Sequence, residues 1–180
     1  MSEIDDVLRF WFVETAPESW WKSDAAFDEE ICRRFAPLHA RGSQGELSGW
    51  RATPAGRLAE VIVLDQFSRN LFRESARAFA QDLAALVLAQ DAVAAGAHLA
   101  LDPVQRAFLL LPYMHSESAA IHVEAERLFR EFTPQENYDF ELQHKAIVDR
   151  FGRFPHRNAV LGRPSTPEEV EFLRQPGSSF

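Results

Sequence analysis

Apolar residues recur at helical spacing along almost the entire chain, and most of these periods open on a residue that starts helices. Ile4, Val7, Leu8 and Trp11 share one face behind Ser2, a candidate N-cap. Ser23 precedes a second stripe of Phe27, Ile31, Phe35 and Leu38. The stretch "RGSQGELSG" (41–49) reads as a loop by its composition. Thr53-Pro54 opens a third helix that carries Leu58, Val61, Ile62 and Asp65, since proline suits the first helical position. Ser75 precedes an Ala- and Leu-rich fourth helix stopped by Gly96, and Asp102-Pro103 opens a short fifth that Pro112 ends. Ser116 caps a sixth. Thr133-Pro-Gln-Glu136 forms a capping box for a seventh that ends at Gly152, and Ser165-Thr-Pro-Glu168 marks an eighth. No segment alternates with period two. The expected fold is therefore all-α, with about eight helices in antiparallel pairs and residues 1–180 forming a single all-helical domain. No clean repeat of about 34 residues is visible, so periodicity does not by itself indicate a solenoid. The tail "QPGSSF" either dangles or docks Phe180.

Composition narrows the function classes. A net charge of −8 disfavours nucleic acid and anionic membranes as partners. Cys32 alone gives no internal disulfide, fits a reducing compartment, and sits in an amphipathic helix where a buried thiol is expected. The acidic start "MSEIDDVLRFWF" is unlike a secretory signal, and no apolar run reaches the roughly 18 residues of a membrane span. A cytoplasmic location follows as the expectation.

Chemistry concentrates in three places. In "DRFGRFPHRN" (149–158) a helix ends at Gly152 and Pro155 holds Phe154 extended, so Arg153, His156 and Arg157 leave a stiff corner. From His144 to Arg163 the cations are Lys145, Arg150, Arg153, Arg157 and Arg163, against Asp149 alone. Guanidinium groups pair in-plane with carboxylates or phosphates, so the corner is a candidate anion site; equally, these arginines can lock two helices together. In "LDQFSRN" (64–70) Asp65 follows four apolar residues, and its burial demands a partner such as Arg69, four residues on, or an arginine of the corner. Asn70 here repeats the Arg-Asn pair of Arg157-Asn158. In "LPYMHSES" (111–118) Pro112 breaks a helix, placing His115 and Glu117 at the start of the next. There they can act as an acid–base pair near free N–H groups, or serve only the helix end.

Glu141-x-x-His144 has the spacing of one half of a di-iron motif, with His122 and Glu126 as a further helical pair. The second copy and the extra glutamates such sites require are not evident. There is no glycine-rich phosphate loop and no Gly-x-Ser-x-Gly. Neither metal nor cofactor is expected.

The segments "FWF" (10–12), "W…TP.G.LA" (50–59), "LDQFSRN", "LPYMHSE", "H…DRFGRFPHRNAVLGR" (144–163) and "STPEE" (165–169) appear in the order seen in the bacterial domain of unknown function 924 proteins, which this chain resembles over nearly its whole length. Ser68 departs from the proline usual in that pattern. The resemblance implies a tetratricopeptide-like helical superhelix and brings no activity, substrate or catalytic residues. Two functions are expected to compete. The first is a site for a small anionic metabolite, possible enzyme chemistry included, built from Asp65, Arg69, Asn70, His115, Glu117, His144, Arg153, His156, Arg157 and Asn158. The second is a tetratricopeptide-like module that clamps an acidic peptide with the same arginines.

Overall fold

The computed structural model describes residues 2–179; Phe180, and with it the docking of the tail's last ring, lies outside them. Helix α1 (Glu3–Arg9) runs on through a π-helical segment (Phe10–Glu14), and α2 spans Ala25–Ser43. A buried run follows: α3 (Pro54–Val61), a second π segment (Ile62–Gln66) and α4 (Phe67–Leu71). Next come α5 (Asp82–Ala94), α6 (Pro103–Met114), α7 (Ala119–Phe132), α8 (Gln135–Phe151) and the short α9 (Pro167–Phe172). No strand occurs among the described residues, as the absence of period-two alternation implies.

The centre is the α3–α4 run. Every residue from Leu58 to Phe67 is buried, the signature of a helix enclosed on all sides. Around it stand α1, α2, α5 and α6, while α7 packs between α6 and α8. Links of a few residues make consecutive helices α6, α7 and α8 double back on one another. Trp11, Phe67 and Phe108 form the aromatic heart, with ring centroids 5.7 Å and 5.6 Å apart across Trp11; edge-to-face pairs of this kind add to the area they bury. Gly56 is required by contact: a Cβ there would sit 2.0 Å from the Trp50 carbonyl oxygen. Gly152 adopts φ +69° and ends α8 in the left-handed form.

Several boundaries differ from the sequence expectation. Asp24, not Ser23, caps α2, taking the Ala26 and Phe27 amides, and α2 continues to Ser43, into the expected loop. The 76–96 stretch splits into a 3₁₀ turn and α5. Pro112 does not end α6, which reaches Met114. Its missing N–H falls in the last turn, and the buried face Ala107–Met114 holds the helix together. Ser118 rather than Ser116 stands at the start of α7, while the Ser116 hydroxyl accepts the Ser118 amide. Thr133 closes α7 by donating to the Phe129 carbonyl instead of boxing α8, and the last box is Thr166–Glu169. Cys32 is exposed, because its turn of α2 points away from the Ile31–Phe35 stripe.

Candidate functional site

The π segment within the central helix carries the first site residue. Asp65 is fully buried there, and one wider turn is a frequent device for aiming a side chain. Its carboxylate accepts Nδ1–H of His115 at 2.8 Å, Nη1–H of Arg69 at 3.1 Å and Nε2–H of Gln66 at 2.6 Å. Burial opposes that charge, but Arg69 and His115 outweigh it and hold the carboxyl far below the usual range. His115 therefore keeps its proton on Nδ1 and turns Nε2 into the ring's acceptor. Burial, reinforced by Arg69 and opposed by Asp65, lowers the histidine's pKa, so the neutral ring is favoured. His115 caps the C-terminus of α6, which corrects the expectation that it stands at a helix start among free N–H groups.

Asp82, first residue of α5, ties the remaining charges together. It accepts both Nη groups of Arg69 (3.0 and 3.1 Å) and Nη1–H of Arg157 (3.1 Å). The Arg157 guanidinium lies over the rings of Phe79 and Phe154, 4.5 and 4.7 Å from their centroids. It is only 6% exposed, and its Nε has no hydrogen-bond partner. Burial pushes its pKa down to about 10 against the pull of Asp82, so it remains a cation at neutral pH.

Of these groups His115, Asp82 and Arg157 line one cleft of about 350 Å³, together with Phe79, Leu83, Leu86, Pro112, Ser116, Glu117 and Leu161, and Asp65 and Arg69 stand behind them. That volume is in the range of small-molecule sites. A second hollow, about 540 Å³, holds the Arg51–Glu60 pair, whose two hydrogen bonds (2.8 and 2.7 Å) satisfy both ions.

The sequence candidates divide. His115, Glu117 and Arg157 line the cleft, while Asp65 and Arg69 stand behind it, joined to it through His115 and Asp82. Glu117 does not pair with His115: it accepts the Phe154 amide at 2.7 Å and both Nη groups of Arg163 at 2.6 and 2.8 Å, stapling the corner to α7's entry. His144 and His156 flank Phe154, with ring centroids 5.6 and 5.7 Å from it. His144 donates Nδ1–H to the Phe140 carbonyl at 2.7 Å. Burial drives the pKa of His144 down to about 3 and that of His156 to about 4. Arg153 turns to Glu169 (2.7 and 2.8 Å) and Asn158 to Ser165, Glu169 and Arg163, so both lock α9 instead of lining the cleft. Asn70 binds Asp28 on α2. Nor does Glu141 join His144: it meets Nδ1 of His122 at 2.7 Å, while His122 donates Nε2–H to the Ser116 carbonyl. That also separates His122 from Glu126. No cluster of three or more potential metal ligands occurs among the described residues.

Asp82 and Phe79 escaped the sequence reading. The available signal was slight: Asp82 is the single acid opening an otherwise Ala- and Leu-rich turn.

An all-helical protein with a buried Asp–His–Arg cluster at one cleft is the class that fold and site define. The chain belongs to the DUF924 family, bacterial proteins of unknown function, whose family model matches residues 7–177. It is similar to the solved structure of ATU0120, a protein of unknown function from Agrobacterium tumefaciens, with 37% identity, 94% of this chain and 96% of that chain covered, and a TM-score of 0.90. No functionally curated protein matches it. No helix among the described residues is long and apolar enough to cross a membrane.

Proposed function

We propose that the cleft binds a small anionic metabolite in the cytoplasm, with Arg157 holding the anion and His115 exchanging a proton with it. The observation that carries this reading is Arg157, a cation nine-tenths buried that lines a cleft together with His115 and meets a carboxylate, Asp82, through a single nitrogen. A desolvated guanidinium with hydrogen-bonding capacity to spare favours an anion as its neighbour. The charges of Asp65 and Asp82 are already balanced by Arg69 and Arg157. An entering anion is therefore uncompensated unless His115 takes up a proton. Asp65, Arg69, Asp82, Arg157, Glu117, His144 and His156 all act on that ring or stand around it, and of the carboxylates Asp65 is in direct contact. The tetratricopeptide-like peptide-clamp reading has less support, because Arg153, on which it relies, is paired with Glu169 outside the cleft.

Thermal unfolding with inorganic phosphate, succinate and hexanoate tests the reading. At least one anion should raise the midpoint of the wild type in a saturable way. Titration calorimetry in buffers of different ionisation enthalpy should then report proton uptake on binding, abolished in His115→Gln. If no anion stabilises the wild type, the reading fails.

A further inference from the structure

The stretch 153–173 is tied closely to itself. Arg153 grips Glu169 and the Pro164 carbonyl, Asn158 binds Ser165 and Glu169, and Arg163 binds Asn158 and the Phe154 carbonyl. Its buried ring, Phe154, belongs to a small apolar cluster with Ile147 and Val148 that is separate from the main core, and Phe172 joins that cluster beside Phe151. Ties to the body run through carboxylates: Glu117 accepts the Phe154 amide and Arg163, Asp82 accepts Arg157, and Glu168 meets the exposed Arg150. Gly152, in the left-handed conformation at the end of α8, stands where the stretch departs and suits a hinge. A segment with its own small cluster and few outward bonds is the kind that opens before the whole molecule does.

The closed stretch also covers histidines. His122, His144 and His156 surround the Phe154 ring, with centroids 6.3, 5.6 and 5.7 Å from it. His144 on α8 faces His115 from α6, His122 from α7 and Arg157; His156 faces Arg157, Glu117, Arg69 and His115. Asp65 and Glu141 stand one step back, engaged with His115 and His122. We propose that residues 153–173 form a flap hinged at Gly152, whose lifting uncovers His144 and His156, carries Arg157 away from Asp82 and the cleft, and is favoured by acid. As the regulation of the anion site, this rests on the reading just given. Closed, the two rings are neutral, burial holding their pKa values at about 3 and about 4; lifted, each takes a proton near the ordinary histidine value, so acid pulls the flap open.

Hydrogen exchange in the ligand-free full chain tests the flap, because the Phe154 amide donates across the joint to Glu117 and is released when the flap lifts. At pH 7.5 its protection factor should lie at least about tenfold below those of the α3 amides, which wait for global unfolding. At pH 5.5, with intrinsic exchange rates divided out, that factor should fall about a hundredfold, roughly tenfold for each histidine uncovered. His144→Gln should leave only about a tenfold fall, and Glu117→Gln should lower the factor about tenfold at pH 7.5 by breaking the ion pair with Arg163. A Phe154 amide as protected as those of α3 overturns the flap, and a protection factor equal at the two pH values overturns its control by acid; both are read on the wild type. An anion that raises the unfolding midpoint should also raise the protection of Phe154; binding that leaves it unchanged overturns the link between flap and site. Should no anion raise the midpoint, the anion reading fails, and the ligand-free exchange still decides the flap.

Discussion

Replacing Asp82 by alanine probes the charge arrangement on which the cleft depends. Asp82 accepts two hydrogen bonds from Arg69 and one from Arg157. Without it, Arg69 retains Asp65, but Arg157 keeps no carboxylate in contact while remaining 6% exposed. Removing one member of a buried ion pair costs about 3–5 kcal/mol, chiefly because the other charge stays desolvated. The Asp82 side chain is 18% exposed, so water can partly replace it and the lower end, about 3 kcal/mol, is expected. Urea unfolding should show the midpoint falling with little change in slope. Combining Asp82→Ala with Arg157→Met should cost less than the sum of the single changes by at least about 1 kcal/mol, because the pair shares one interaction. A loss below about 0.5 kcal/mol for Asp82→Ala, or strict additivity in the double variant, would refute the claim that Asp82 neutralises Arg157.

Other expectations follow from the same geometry. Gly56→Ala should destabilise by more than about 2 kcal/mol, since its Cβ meets the Trp50 carbonyl oxygen at 2.0 Å, while Gly49→Ala, with nothing within 4 Å, should be close to neutral; urea unfolding of both variants checks this. His144 and His156, with folded pKa values of about 3 and 4, stay neutral in the native state while the unfolded chain protonates near 6.5. Stability should therefore be intact above pH 6.5 and fall below it, by about 1.4 kcal/mol per pH unit for each, or roughly 3–4 kcal/mol together by pH 5. A flat profile from pH 7 to 5 would contradict this, and His144→Gln should shallow the slope. Burial pushes the Glu141 carboxyl up and favours the acid that donates to His122. Glu141→Gln, whose amide can donate in the same place, should cost under about 1 kcal/mol, whereas Glu141→Leu should cost about 2–3 by leaving His122 Nδ1 unpaired; thermal unfolding distinguishes them.

The all-helical build was legible because apolar spacing and Thr-Pro, Asp-Pro and Ser starts are local signals. Helix ends were less so. Pro112 looked like a break, yet α6 passes through it because the buried Ala107–Met114 face outweighs one lost hydrogen bond. That extra turn moved His115 from the beginning of one helix to the end of another. Within the site, the Asp65–Arg69 pair could be read from its i, i+4 spacing and its apolar context. Arg153 and Arg157 could not be told apart, for they are four residues apart and similarly surrounded in sequence. What separates them is which carboxylate the fold brings near: Glu169 fills the fork of Arg153, and Asp82 takes only one nitrogen of Arg157. Asn70 and Asn158 were grouped with the site through their repeated Arg-Asn dipeptide, but each serves a different helix junction. Partners distant in sequence, above all Asp82 and Phe79, are chosen by tertiary packing, which no local pattern encodes.

The most direct test of the central claim is the ¹⁵N-detected Nε–H signal of Arg157, assigned by its loss in Arg157→Lys. On addition of the anion that raises the unfolding midpoint this resonance should shift, saturating together with the heat of binding, while the signals of Arg51 and Arg153, each held by its own carboxylate, stay still. An Arg157 signal unmoved by an anion that binds the folded protein, or displaced no more than those of Arg51 and Arg153, contradicts the assignment of the cleft.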